Sequence, residues 1–226
     1  MTLDLAIRIT EILLALAFIQ QSAEHIFAAR DDRYLFLSRL VLSVLLLAGV
    51  QSQWVCLGLV IIGVFILKRF QGPYNGGSDR MSLLIICCLC LTLFMPERKW
   101  QEYIFGYLAL QLLLSYFVAG WVKIINPEWR KGRALQDVFR FSAYPVSESL
   151  RGWADWPRLL CLMSWMVMLF ELCFPLTLAT QATLIIGLVI AATFHLANAC
   201  LFGLNRFFWI WLAAYPSILW LQDRLF

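Results

Sequence analysis

Lys123 is an amine that could act as a base if it is held partly dry. It follows twenty mostly apolar residues, and an amine held away from water can serve as a general base or nucleophile. The plainer reading is a lysine that snorkels along its stem to a membrane surface. Glu171 lies in the middle of another apolar run, four residues before Pro175, where snorkelling cannot reach water. It needs a partner or a proton. His195 and Asn198, within Thr-Phe-His-Leu-Ala-Asn-Ala-Cys-Leu-Phe, stand three apart on one helical face. They are either glue between helices or ligands of a bound polar group.

Other polar groups sit nearer the ends of apolar runs. Arg8 and Glu11 lie one turn apart and can pair, while Gln20, Gln21, Glu24 and His25 form a patch at the far end of the first run. Tyr103, Tyr107, Gln111 and Ser115 recur every four residues, with Gly120 and Lys123 expected close to the same face. Gly120 permits close approach of a helix or ligand. Cys87, Cys88 and Cys90 resemble a metal cluster only on paper. Their directions diverge around a helix and no His or carboxylate completes a set, so no metal is expected.

The elements that carry these residues follow from composition. The chain is 226 residues long, 62% hydrophobic and 14% charged, with mean hydropathy +0.78, more apolar side chain than a soluble interior of this size can hide. A spanning helix needs about 20 residues, so eight would use roughly 160 and leave about 65 for loops and ends. No room remains for a globular extramembrane unit. The expected spans are 4–27, 34–50, 52–68, 81–96, 101–123, 157–178, 182–199 and 206–222. Asp4, Arg8 and Glu11 interrupt the first run, and no small-residue cleavage site follows, so it reads as a retained helix and not a signal peptide.

The link around Gln51 is short enough for an antiparallel hairpin. Residues 69–80 are dense in turn formers: Gly76 and Gly77 can adopt positive φ, and Ser78 or Asp79 can cap the fourth helix. The one long polar stretch, 126–156, contains the amphipathic pattern Ala-Leu-Gln-Asp-Val-Phe-Arg-Phe, and Trp129, Trp153 and Trp156 suit a membrane–water interface. Of the 18 Lys and Arg residues, all but Arg8, Arg98, Lys99 and Arg224 fall on the face of loops one, three, five and seven, Arg30 and Arg39 among them. Positive-inside counting puts that face in the cytoplasm. The expected setting is an integral, multi-pass membrane protein, in the inner membrane if the source is bacterial, with no nucleic-acid partner.

Three stretches together resemble the horizontally transferred transmembrane (HTTM) family, which includes the membrane part of vitamin K-dependent gamma-carboxylase. They are Tyr-Asn-Gly-Gly-Ser-Asp-Arg-Met at 74–81, the run from Tyr116 through Ala119, Gly120, Lys123, Trp129 and Gly132 to Leu135, and Phe-Glu-Leu-Cys-Phe-Pro-Leu at 170–176 followed by 193–213. Order and spacing agree over roughly 74–213. The resemblance implies an all-α, polytopic bundle of about eight transmembrane helices, with 1–226 as a single domain and 126–156 as a lateral interfacial segment. It puts the carboxylase's catalytic-base lysine on Lys123 and the family's helix histidine on His195, and it implies a lipid-soluble, vitamin K-like quinol as cofactor. Asn198, Glu171, Asp79, Arg80, Tyr116 and Trp129 are then the expected ligand-binding residues, with Asp79 and Arg80 closing the mouth. The carboxylase continues into a large domain that binds its protein substrate, whereas this chain stops at Phe226. The competing expectation is therefore a non-catalytic membrane subunit that docks a membrane or peripheral partner protein, for peptide maturation, export or a redox complex.

Overall fold

The computed structural model describes residues 1–28, 33–69, 76–141 and 148–226, and among them every regular element is helical. The helices are α1 (Leu3–Ala28), α2 (Arg33–Ala48), α3 (Ser52–Arg69), α4 (Gly76–Phe94), α5 (Arg98–Ile125) and α6 (Pro127–Arg130). They continue as α7 (Arg133–Phe141), α8 (Glu148–Arg151), α9 (Pro157–Cys173), α10 (Gln181–Phe202) and α11 (Asn205–Leu225). Short 3₁₀ segments at Gly152–Asp155 and Phe174–Ala179 flank α9. The expected Arg30, the turn residues 70–75 and residues 142–147 of the polar stretch lie outside the described residues.

Five segments are long and apolar enough to cross a membrane: Ser52–Arg69, Gly77–Phe94, Arg98–Ile125, Pro157–Ala179 and Gln181–Phe202. Their outward faces are apolar. Ile61 and Phe65, Leu114 and Val118, Leu162 and Met166, and Ile186 and Val189 are all exposed. Such surface is stable against lipid and costly against water. The other three expected spans are helical but fall short by these measures. Asp4, Arg8, Glu11 and Glu24 punctuate α1. The 16 residues of α2 reach only about 24 Å, less than the ~30 Å hydrocarbon core. Polar groups at both ends of α11, from Asn205-Arg206 to Gln222-Asp223-Arg224, lower its apolar content.

The chain divides into two compact units, Met1–Leu110 with Arg206–Phe226, and Gln111–Asn205, the boundary falling inside α5. In the first, α1 packs on α2 and α3 on α4. The α2–α3 link is as tight as expected, with positive φ at Gly49 and Gln51. Arg8 closes it from α1: its guanidinium donates to the carbonyls of Leu46 at 3.0 Å and Leu47 at 2.6 Å, and pairs with buried Glu11 at 2.7 Å. The Leu46 carbonyl also accepts the Gly49 amide at 3.0 Å, whereas the Leu47 carbonyl takes its donor from the arginine, which thus completes the helix C-terminus. Asp4 and Arg98 at 2.5 Å, Glu102 and Arg224 at 3.3 Å, and the N-terminal ammonium with Asp223 join the ends of α1, α5 and α11.

The fourth helix starts earlier than its sequence suggests. Ser78 and Asp79 are buried inside the first turn of α4 and do not cap it, and Gly77 is helical. Packing explains the difference: a Cβ at Gly77 would lie 3.1 Å from the Phe207 ring, so the glycine lets α11 seat against the start of α4. Arg39, counted above with the loop charges, lies inside α2 and is buried.

In the second unit, Asn126 caps α6 by accepting the Glu128 amide at 2.9 Å, with Pro127 at the first helical position. The amphipathic pattern forms α7, and its apolar side is used within the protein. Leu135 and Phe139 pack with Ala154, Leu160 and Phe202. Gly132 has φ +75°, and a Cβ there would come within 2.6 Å of the Cys161 backbone. Only glycine satisfies both conditions. Pro175 removes a backbone donor just beyond α9, where the chain tightens into the 3₁₀ segment. Thr180 and Thr183 then form a capping box for α10.

Candidate functional site

Three helices of the second unit supply the polar groups. Lys123 Nζ donates to both oxygens of Glu171, each at 2.6 Å, joining the end of α5 to the last turn of α9. The Glu171 side chain is 5% exposed and that of Lys123 19%, so the carboxylate is enclosed and the amine keeps partial access. The two helices approach closely enough for this because residue 120 is glycine. A Cβ at Gly120 would stand 2.7 Å from the Leu172 amide nitrogen and 3.0 Å from the Glu171 Cβ. The residue that permits the approach sits one turn before the lysine that uses it.

Trp129 covers the pair, with Nζ 5.4 Å from its ring centroid. An indole face attracts an ammonium without competing for its hydrogen bonds. The indole is positioned through its own backbone, since Ser164 Oγ donates to the Trp129 carbonyl at 2.6 Å and the Trp165 indole to that of Arg130 at 3.1 Å. Two turns before Lys123, the Tyr116 hydroxyl meets His195 Nε2 at 2.9 Å, linking α5 to α10. Both residues are buried. Phe174 lies 4.0 Å from the Tyr116 ring and Phe170 6.0 Å, while Phe194 lies 5.1 Å from the imidazole. Lys123 is close enough to His195 to act on it electrostatically. The result is a fixed ion pair and a fixed phenol–imidazole pair on the same three helices, walled by aromatic rings.

Four expected site residues therefore contribute directly: Lys123, Glu171, Tyr116 and His195, with Trp129 alongside. Asn198 is half-buried one turn further along α10, where its carbonyl accepts the Leu204 amide at 3.3 Å. Asp79 and Arg80 belong to the other unit. There Asp79 accepts from Gln21 at 3.4 Å and Arg80 is exposed. The four-residue stripe expected on α5 does not form a single face. Tyr103 and Tyr107 are exposed, and the buried side runs through Phe105, Leu108, Leu112, Tyr116 and Gly120. A step of four residues advances about 40° beyond a full turn, so over twenty residues such a row winds to the opposite side. Phe170, Phe174 and Phe194 were not singled out from sequence. Their signal was proximity to Glu171 and His195 within runs where every residue is bulky and apolar.

With only helices and five apolar, membrane-length segments among the described residues, their outward surfaces suited to lipid, this is a polytopic membrane protein. The chain belongs to the HTTM family: the HTTM domain matches residues 94–222, which include every residue of the α5–α9–α10 cluster and exclude Asp79 and Arg80. No curated protein and no solved structure gives a significant match.

Proposed function

We propose that Lys123, Glu171, Tyr116 and His195 form the proton-handling centre of a membrane enzyme that uses a lipid-phase quinol. The observation that carries this reading is the Lys123–Glu171 pair, two titratable groups locked at 2.6 Å in an apolar bundle with an indole over the amine. Titratable groups isolated in a membrane are more often functional than ornamental. The residues suit a vitamin K-like quinol, because flat apolar rings flank groups able to give and take hydrogen bonds. When bound, the quinol supplies reducing electrons and an ionisable hydroxyl.

The chain's own part is to orient and to hold a proton. His195 and the Tyr116 hydroxyl fix one end of a polar ligand between the rings. As an ion pair, Lys123 and Glu171 are neutral together. A proton taken up by the pair, on Glu171 or on Nζ after Nζ passes its own to Oε2, leaves one positive charge beside the anion just formed. That counter-charge in a dry site stabilises what water would otherwise solvate. The same reading takes α1, α2 and α11 as further spans, eight in all, with 126–156 at the interface and 1–226 as one domain.

Extraction of the purified protein followed by identification of bound lipophilic compounds tests this directly. A quinone in the native protein, and turnover reduced on the order of 10²–10⁴-fold by Lys123→Met, are the expected results. Activity intact in that variant overturns the proposal. A second reading, a subunit that docks a partner protein, draws on the exposed rings of Phe141 and Trp156 near Arg133 and Arg140. A stable stoichiometric partner copurifying without bound quinone favours it.

A further inference from the structure

Arg39 is 3% exposed, and among the described residues its Nη1 has no hydrogen-bond partner. The guanidinium stacks on Phe18, 3.8 Å from the ring centroid. That contact satisfies one face of the planar group and none of the N–H bonds along its edge. Two charged groups lie near enough to act on it, Asp79 and Arg206. Asp79 Oδ1 accepts from Gln21 at 3.4 Å. Arg206 reaches the His25 imidazole at 3.0 Å and 3.1 Å, and that ring stacks on Phe36 at 4.0 Å. Among the described residues, Asp79 is the one carboxylate that acts on Arg39, and it forms no ion pair with either guanidinium. A buried cation with an unused N–H donor favours the arrival of a further anion.

The backbone pushes in the same direction. Arg39 lies in the second turn of α2, Asp79 in the first turn of α4 and Arg206 in the first turn of α11. The starts of α4 and α11 add partial positive charge here, and the last turns of α1, which carry Gln21 and His25, offset part of it. On the opposite side of α2 from Arg39, Tyr34, Leu37 and Val41 are exposed.

We infer that the Arg39–Arg206 rim of this unit binds a phosphate oxyanion, with Arg39 Nη1 donating to it and Asp79 limiting the net charge of the empty site. A phosphate has enough oxygens to engage both guanidiniums, which suits it better than a carboxylate. The phosphate can be that of a lipid headgroup or a free phosphate, and these sources are separable. The site shares no residue with the proton-handling centre proposed above.

The test uses the full chain in a neutral detergent and reads binding by native mass spectrometry and by the shift in melting temperature. The probes are dihexanoyl-phosphatidylglycerol, inorganic phosphate, and sodium chloride at matched ionic strength. At least one phosphate species should bind and raise the melting temperature beyond the chloride control. Binding of the lipid alone assigns the headgroup as source, and binding of both assigns a site for phosphate in general. Arg39→Met should weaken binding on the order of tenfold or more, as should Arg206→Met, which serves if the first variant does not fold. No phosphate effect beyond chloride, or native affinity in a folded Arg39→Met or Arg206→Met protein, overturns the inference.

Discussion

In the unit Gln111–Asn205 the amine of Lys123 meets both oxygens of Glu171 and an indole face. In the other unit the guanidinium of Arg39 is more deeply buried, yet among the described residues its Nη1 lacks a hydrogen-bond partner, and Asp79, which acts on it, accepts from a glutamine. Arg39 is buried and Lys123 partly so, and a cation withdrawn from water raises the free energy unless it is neutralised. One is neutralised within the chain. The other is not, and that difference is what sets the proposed proton-handling centre apart from the proposed phosphate site.

Breaking the first cation's partnership should have the largest effect. Lys123→Met orphans a carboxylate only 5% exposed, and should destabilise the protein by about 3–5 kcal/mol. Thermal or denaturant unfolding in detergent measures this, and the Lys123→Met/Glu171→Met double variant should recover most of the loss. Glu171→Gln should cost less, because Lys123 retains a route to water.

Gly120→Ala should come next, at about 1–3 kcal/mol. The added methyl meets backbone at Leu172 and the Cβ of Glu171, neither of which can turn aside. If it moves α9 off α5 it converts the settled cation into an unsettled one. The variant should then lose activity in parallel with Lys123→Met.

Tyr116→Phe removes the bond to His195 and should cost roughly 0.6 kcal/mol, in line with single hydrogen bonds between membrane helices. A loss several times larger would mean the phenol–imidazole pair matters as much as the ion pair. The smallest effect is expected at Arg39. With no phosphate present, Arg39→Met should shift stability by about 0.5 kcal/mol or less, since it removes an incompletely paired charge and retains the stem that packs on Phe18. A loss comparable to that of Lys123→Met would erase the contrast.

The helices were largely legible in the sequence because lipid demands long apolar runs, and Gly, Pro and charged residues mark where they stop. Lys123, Glu171 and His195 were legible for the complementary reason, as ionisable groups in stretches with no other use for them. Their partnerships were not. Lys123 and Glu171 are 48 residues apart, and nothing in either run states which faces of two apolar helices will meet. Gly120 hinted at the close approach without naming α9. At Ser78 and Asp79 the local capping signal yielded to packing of Phe207 against Gly77. Arg39 was hidden by its position near the start of a span, where an arginine ordinarily reaches back to the surface.

The guanidinium of Arg8 has a consequence for how the chain enters a membrane. On the eight-span reading proposed above, α2 is a 16-residue segment too short to cross the hydrocarbon unaided, and the Leu47 carbonyl at its end takes its donor from Arg8. With α1 already in place, Arg8 receives the Leu46 and Leu47 carbonyls as they arrive, and Glu11 offsets the charge it brings. The order of synthesis thus delivers the acceptor's partner first. Lengthening α2 by one apolar turn should free its insertion from Arg8, while removing Arg8 from the native chain should leave α2 stranded at the surface during biogenesis.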